Sequence, residues 1–487
     1  MLVFERRFLW VISVLILARL FSMATLPFMD TSEPRYAEIA RVMAASGDWV
    51  TPWFEPGTPF WGKPPLSFWA QAFSIKSLGL TEFSIRLPSF LVMVALTILV
   101  YHAGIVIGGK RMAKWATLIL STMLLPMVSA GAVLTDPFFA FGVTLSMLAF
   151  VVAPLNPTWF WRYGFFLGIA LGLLSKGPLT VVLVAIAIVP WLALQADRRT
   201  RINVFPWLSG LFLIFALSLP WYIAAEIKTP GFLQYFIVGE HFLRFVDGGW
   251  NGDLYGTAHE KPLGRIWIEW LFASLPWGPL GLAVLLWSMI RSKHRAKLAC
   301  FVKKPVVTFL IFWTLAAMVF FTFSANILWT YVLPSLPALA LLLAQAATAT
   351  CCVSTSRRTS YALIAAGSLV PAFSIAVGAI ALIAPAQLKT EKELVMAAAQ
   401  DMEAGKKLYF VGSRPFSARF YSRGQAELIL SSRLEPLLEA GQSALIAMPR
   451  SQAFDALRMS ASSLKLVFQS KRYSLYELTP MPEKHTQ

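Results

Sequence analysis

The stretch FLWVISVLILARLFSMATLPFMDTSEPRYAEIARVM, residues 8–43, decides the fold. Residues 8–26 form an apolar run long enough to cross a bilayer core of about 30 Å. Immediately after it, Asp30, Glu33, Arg35, Tyr36, Glu38 and Arg41 crowd into residues 30–41. Arg6 and Arg7 precede the run, as they would in a signal peptide. No small-x-small cleavage pattern precedes a polar mature start, however, and more apolar runs follow, so residues 8–26 read as a retained first span.

The 487-residue chain is 57% hydrophobic, holds 18 Trp and 37 Phe, and only 14% of its residues are charged. Its mean hydropathy of +0.64 belongs to a membrane protein. Spanning-length runs recur to about Pro385, and the polarity of the remainder is mixed. A polytopic helical membrane body (1–385) and a small soluble α/β tail (386–487) are expected. Eleven spans are drawn, at 8–26, 84–107, 115–133, 138–153, 163–175, 178–195, 204–225, 266–290, 305–323, 328–348 and 361–385, with room for one or two more crossings in the longest runs. Three cysteines, two adjacent as Cys351 and Cys352, form no spaced framework and read as small membrane residues.

The connectors carry a consistent charge pattern. One alternating set holds RR (6–7), KRMAK (110–114), Arg162, DRRTR (197–201), RSKHRAK (291–297) and RR (357–358); the other holds DTSEPRYAE, GDW, TDP, KGP and residues 226–265. By the positive-inside rule the N-terminus and basic loops are cytoplasmic and the acidic set is external. An odd span count places the tail outside as well. The net charge of +17 is then a topology signal and not the footprint of a nucleic-acid partner.

Two external segments, 27–83 and 226–265, are longer than connectors need to be. Within the first, Tyr36, Ile39, Ala40 and Met43 share one stripe of an expected interfacial helix, with Glu38 and Arg41 away from it, Ser32 as cap and Pro34 in its first turn. PLSFWAQAFSIKSLG (65–79) is a second amphipathic piece. On the same side stand Lys63 in FWGKPPL, Asp136 in LTDPFF, Lys176 in LLSKGP, and Glu240, His241 and Arg244 in VGEHFLRF. Acids and bases at span ends are costly unless they share a cavity, so one external polar cavity is expected. Loop carboxylates are ordinarily solvated, and Glu240 with Arg244 is equally a plain i,i+4 pair. Fixed cations suit a phosphate; carboxylates suit removal of a proton from a hydroxyl. No glycine-rich nucleotide cradle is evident, so an activated donor would be a lipid phosphate. The residues alone leave two readings, a lipid-linked group transferase and an ion-coupled transporter of an anionic or lipid-phosphate substrate.

The blocks SEPRYAEIARVM with SGDWVTPWF, KPPLSFW, LTDPFFAF, LLSKGP, EHFLRF and NILWTYVLPSLPALALLLA, in this order over residues 25–345, resemble the integral-membrane glycosyltransferases of the GT-C class. The likeness is to the bacterial group related to 4-amino-4-deoxy-L-arabinose transferase of lipid A and to the dolichyl-phosphate-mannose protein mannosyltransferases. It implies a bacterial inner-membrane enzyme with a periplasmic site that transfers a sugar, with inversion, from a polyprenyl (undecaprenyl) phosphate to a lipid A, glycan or protein acceptor. It also implies roles. Lys63, Arg35, Arg244 and Tyr331 would contact the donor phosphate; Asp30, Glu33 and Asp136 would be the catalytic carboxylates; Tyr36, Lys176, Glu240 and His241 would line the cavity.

The chain departs from that pattern at Ser32, where the arabinose-transferase motif has Asp, which moves the expected base to Asp30 with Glu33 as orienting partner. Gly62 stands where Glu commonly precedes the lysine. This removes a contact that a metal or sugar would use, so no metal or other cofactor is assigned. Asn326 lies near a position that is basic in many relatives. In the tail, residues 389–404 read as a helix and 406–412, 444–450 and 465–478 as strands, while the Arg-rich SRPFSARFYSR (413–423) reads as a solvated positive face.

Overall fold

The computed structural model describes residues 2–247, 250, 252–255, 260–350, 357–434, 436, 443–451 and 464–478. Cys351, Cys352 and residues 248–249, 251 and 256–259 of the expected second loop lie outside them. The chain begins with α1 (Leu2–Thr25), then α2 (Ser32–Ser46), a two-stranded ribbon β1 (Trp53–Glu55) and β2 (Thr58–Pro59), and α3 (Leu66–Leu78). The bundle continues through α4 (Glu82–Ser121), α5 (Leu124–Ser129), α6 (Asp136–Val152), α7 (Trp159–Lys176), α8 (Leu179–Ala193), α9 (Arg198–Asn203) and α10 (Trp207–Lys228). A π-helix (Gln234–Leu243) runs into α11 (Arg244–Val246), followed by α12 (Ile266–Ala273), α13 (Trp277–Ile290), α14 (Ser292–Val302), α15 (Pro305–Phe321), a 3₁₀ turn (Trp329–Ser335), α16 (Leu336–Thr350) and α17 (Arg357–Ile383).

Local chemistry sets the boundaries. Thr81 and Ser84 cap each other's backbone N–H and start α4. Gly109, at φ 83°, interrupts α4, and a Cβ on Gly104 would lie 2.9 Å from the Ala113 Cα. In a straight helix those residues would be about 13 Å apart, so the chain doubles back there. Helices α6 and α7 meet through Gly142, Gly168 and Gly172, where a Cβ on Gly142 would lie 2.7 Å from the Gly168 carbonyl oxygen; small residues let the backbones approach this closely.

Among the described residues, five helices combine spanning length with apolarity, at residues 6–25, 82–121, 207–228, 329–349 and 361–383, and up to seven do if two bent pairs each count once. The helices depart from the eleven drawn spans in two places. Residues 266–290 are two helices bent by 107°, and residues 115–133 are the returning arm of α4, a turn and the short α5. Helices α6 and α8, with 17 and 15 residues, reach only about 25 and 22 Å. A sequence window registers their apolarity but not their shortness.

The C-terminal part is a small mixed sheet. After α18 (Lys392–Glu403) come β3 (Lys407–Val411), α19 (Phe416–Tyr421), β4 (Glu427–Ile429), β5 (Ala444–Pro449), β6 (Leu464–Gln469) and β7 (Tyr473–Leu478). The strand order is β4-β3-β5-β7-β6. Strands β3 and β4, and β3 and β5, are parallel; β7 is antiparallel to both β5 and β6. The single strand expected at 465–478 is therefore a hairpin.

Helix α2 buries Tyr36, Ile39, Ala40 and Met43, as its stripe predicts. It also buries Glu38, which pairs with Arg41 at 2.7 Å and faces Arg419 at 3.8 Å. Ser32 is the first helical residue and not the cap. The Arg-rich 413–423 stretch is not a solvated face. Arg419 and Arg414 pair with Glu55, Arg419 also donates to the Phe54 carbonyl, and the Phe416 and Phe420 rings pack on Phe54 and Phe28. This stretch docks the sheet onto the first loop, because the loop supplies the carboxylates and apolar rings that match it.

Candidate active site

At one end of the bundle, Lys63, Lys176, Glu240, His241, Arg244, Asn326 and Tyr331 line a cavity of about 160 Å³. The first loop supplies Lys63, held by Pro64 and Pro65. The α7–α8 turn supplies Lys176, the π-helix and α11 supply Glu240, His241 and Arg244, and the start of the 3₁₀ turn supplies Tyr331. One wall is apolar, with Leu179, Val182, Phe320 and Phe321.

Glu240 organises the cations. One carboxylate oxygen accepts from the Lys63 ammonium and the other from Arg244 Nη1 at 2.9 Å. Burial opposes its charged form, but Lys63 and Arg244 outweigh it and hold the carboxyl below its ordinary range. Arg244 Nη2 also faces Asp253 at 3.4 Å. Lys176 donates to Asp136 Oδ1 at 2.6 Å and lies over the Tyr331 and Phe139 rings at 4.7 and 5.4 Å. Asp136 thus bears on the cavity through Lys176. His241 turns Nδ1 to the Phe236 carbonyl at 2.6 Å and Nε2 to the Lys176 carbonyl at 2.9 Å. Burial pushes its pKa down. The ring ties the π-helix to the turn carrying Lys176.

The other expected site residues are not brought to this cavity. Asp30, with its side chain 2% exposed, accepts from Ser417 N and Oγ at 2.8 and 2.7 Å and from Arg472, all in the C-terminal part. Glu33 accepts from Arg86 at 2.7 Å and from the Val133 N–H at 3.1 Å. Arg35 donates to the Tyr255 carbonyl at 3.1 Å and stacks on Tyr36 and Phe416. Tyr36 is buried against Phe60 and Phe68. Asp30 and Glu33 are thus engaged by partners distant in sequence, whereas the buried Nε of Arg35 has no hydrogen-bond partner among the described residues.

A family model described as dolichyl-phosphate-mannose-protein mannosyltransferase matches residues 10–236. The undecaprenyl phosphate-alpha-4-amino-4-deoxy-L-arabinose arabinosyl transferase of Yersinia pestis (strain Pestoides F) is 29% identical over 322 residues, 65% of this chain and 54% of the relative. Its counterpart in Yersinia enterocolitica serotype O:8 is 30% identical over 321 residues, with the same two shares. The match thus spans about half the length of these curated relatives. ArnT from Cupriavidus metallidurans, solved bound to undecaprenyl phosphate, superposes with a TM-score of 0.76 at 18% identity, covering 96% of this chain and 98% of that one. This chain has the GT-C fold and is related to the ArnT and mannosyltransferase families.

Metal-binding chemistry does not fit the residues of this GT-C site. Each His241 nitrogen is turned to a backbone carbonyl, Glu240 is engaged by two cations, and Gly62 offers no side-chain ligand. Among the described residues, no group of three or more His, Cys, Asp or Glu side chains is placed to hold a metal. Sequence reasoning missed Arg86, Asp253 and Arg472. An arginine inside the apolar block SIRLPSF was a usable signal for Arg86; Asp253 and Arg472 carried none, because only folding gives them their partners.

Proposed function

We propose that the protein is an inverting glycosyltransferase that moves a sugar from a polyprenyl phosphate, of the undecaprenyl kind, to a lipid A, glycan or protein acceptor. The observation that carries this reading is the convergence of Lys63, Lys176 and Arg244 on one cavity with an apolar wall. The relatives named as undecaprenyl-phosphate arabinosyl transferases and the ArnT complex with undecaprenyl phosphate support it.

In this reading the donor phosphate sits between Lys63 and Arg244, which Glu240 holds apart and oriented, and Tyr331 borders it. The prenyl chain leaves along Leu179, Val182, Phe320 and Phe321. The acceptor oxygen, already anionic in a phosphate or giving up its proton to a carboxylate such as Asp136 in a hydroxyl, attacks the anomeric carbon opposite the donor phosphate, the C–O bond to that phosphate breaks with its electron pair, and the cations offset the charge growing on the leaving phosphate. Asp136, paired with Lys176, is the carboxylate nearest this chemistry and orients sugar or acceptor. Asp30 and Glu33 act by positioning the first loop. The membrane body, residues 1–385, carries the chemistry and 386–487 supports it. The N-terminus and the basic loops are cytoplasmic, and the cavity and C-terminal sheet are periplasmic, which the charge pattern of the connectors supports.

Mass spectrometry of envelope lipids and glycans from cells with and without the gene tests the function. The expected result is one sugar mass missing from the deletion strain and restored by wild type but not by Lys63→Ala. An unchanged spectrum in the deletion strain under expressing conditions sinks the reading.

A further inference from the structure

Helix α15 runs from Phe320 and Phe321 in the cavity wall back to Pro305. That is about 25 Å of helix, so its first residues lie at the opposite end of the bundle. There α14 is bent from it by 83°. Both ends of α14 meet segments that belong in hydrocarbon. Before it, α13 exposes Val284, Leu286, Met289 and, at 74%, Ile290, with the half-exposed Trp287 one turn from its end, the level at which indole rings collect in membranes. After it, α15 is apolar from its first residues, Pro305, Val306 and Val307. An 11-residue helix held at both ends to one hydrocarbon boundary lies along that boundary, for about 16 Å.

Its charge has one sign. Residues 291–304, RSKHRAKLACFVKK, carry six Lys and Arg and no Asp or Glu, and no acid occurs from residue 270 to 390. Arg291, Arg295, Lys297, Lys303 and Lys304 are exposed, and none has a carboxylate partner among the described residues. His294, Leu298 and Phe301 share the half-buried stripe, with His294 on the Trp287 ring at 4.7 Å. A second pair of cations joins this surface. At the same end of the bundle, Trp191 of α8 donates its indole N–H to the Pro305 carbonyl at 3.0 Å and lies under Arg201 at 5.2 Å. That seam sets α9 beside the junction of α14 with α15. Arg198 and Arg199 begin α9 and are exposed, while Asp197 is taken up by Arg201 at 2.8 Å.

Fixed cations at head-group level attract anionic lipid, and guanidinium and ammonium groups suit its phosphate. The charge alone would also match a soluble acidic partner. The position of α14 along the hydrocarbon boundary favours lipid. We propose that α14 and α9 together form a docking surface for the phosphate head groups of anionic glycerophospholipids in the leaflet opposite the cation cavity. Lipid docked there holds the far ends of α8 and α15, whose near ends supply Leu179 and Phe321 to the cavity wall.

Two measurements on the full chain test this without an activity assay. Native mass spectrometry from micelles exchanged with phosphatidylglycerol or with phosphatidylcholine of identical chains reads retention. The expected result is retained phosphatidylglycerol, several-fold weaker retention of phosphatidylcholine, a loss of more than about tenfold when Arg198→Gln, Lys297→Gln, Lys303→Gln and Lys304→Gln are combined, and unchanged retention in Lys63→Ala. A melting curve checks that the combined variant folds. Cys300 is an exposed thiol on α14, and a nitroxide attached to it, with Cys351→Ser and Cys352→Ser removing the other thiols, reads depth by power saturation in vesicles containing phosphatidylglycerol. Head-group depth is expected, and this reading keeps every charge of the surface, so it stands whether or not the combined variant folds. Equal retention of the two head groups, undiminished retention in the folded combined variant, or a nitroxide in the hydrocarbon interior overturns the proposal. So does a nitroxide in bulk water, which would leave the surface to a soluble partner, and so does loss of retention in Lys63→Ala, which would place the lipid in the cation cavity.

Discussion

Two buried ion networks lie at the same end of the molecule and use the same residue types to opposite ends. In the cavity, Lys63, Lys176 and Arg244 meet Glu240 and Asp136 beside open volume and an apolar wall. Beneath the C-terminal sheet, Asp30 is closed off by Ser417 and Arg472, Glu391 by Arg472 at 2.8 Å and Ser470 at 2.7 Å, and Glu82 by Lys392 at 2.6 Å and Tyr421 at 3.0 Å. A network closed on itself fastens two parts of a fold. One whose cations border empty space is available to a ligand.

Lys63→Ala should separate the two most sharply. Removing one preorganised donor to a developing charge typically costs about 10²–10³ in rate. Sugar transfer should fall by that order while the melting temperature moves little, and a transfer rate equal to wild type would remove Lys63 from the site. Asp30→Ala should do the reverse. It leaves the Ser417 N–H and hydroxyl without their acceptor and Arg472 with Glu391 alone, a loss of about 1–3 kcal/mol, to be read as a lower melting temperature and early proteolytic release of the C-terminal sheet, with transfer per folded molecule far less affected. A drop in transfer as large as that of Lys63→Ala, without a stability loss, would return Asp30 to catalysis.

A smaller effect comes from pH. Burial raises the Glu391 carboxyl above its ordinary 4.5, against the bonds from Ser470 and Arg472. The folded form then holds the proton more tightly than the unfolded chain, so stability falls as pH rises from about 4.5 through the raised pKa and levels off above it. Glu240 has the opposite sign. Its depressed pKa contributes stability that is full above the ordinary 4.5 and lost as pH falls through the folded value. Glu391→Gln should therefore abolish part of the gain in melting temperature on mild acidification and leave the loss at lower pH in place. Smallest of all, Lys407→Ala breaks a pair whose members are 64% and 48% exposed, and no measurable change in melting temperature or transfer is expected.

Much of the fold was legible because its signals are local. The apolar windows located the helices of the bundle, the 3.6-residue stripe of Tyr36, Ile39, Ala40 and Met43 gave α2, and short apolar runs gave β3 and β5. Within the site, Lys63, Lys176, Glu240, His241, Arg244 and Tyr331 were recognised, since each charge or ring stands at a span end with few local partners. The long-range partners of Asp30 and Glu33 were not. Their motif is conspicuous, yet Ser417 and Arg472 lie about 390 and 440 residues from Asp30, and no window contains both members of such a pair. The break in α4 and the 107° bend between α12 and α13 were hidden for a related reason: hydropathy does not register direction.

The sequence by itself determined that this is a multi-span membrane protein with its polar motifs on one face, because transfer free energy and charge placement depend on residue type and order. The tertiary structure alone decided which of those polar groups border open space and which are closed against the C-terminal sheet. That choice depends on what stands within about 3 Å of each oxygen and nitrogen, the reach of a hydrogen bond, and residues far apart in the chain supply those neighbours.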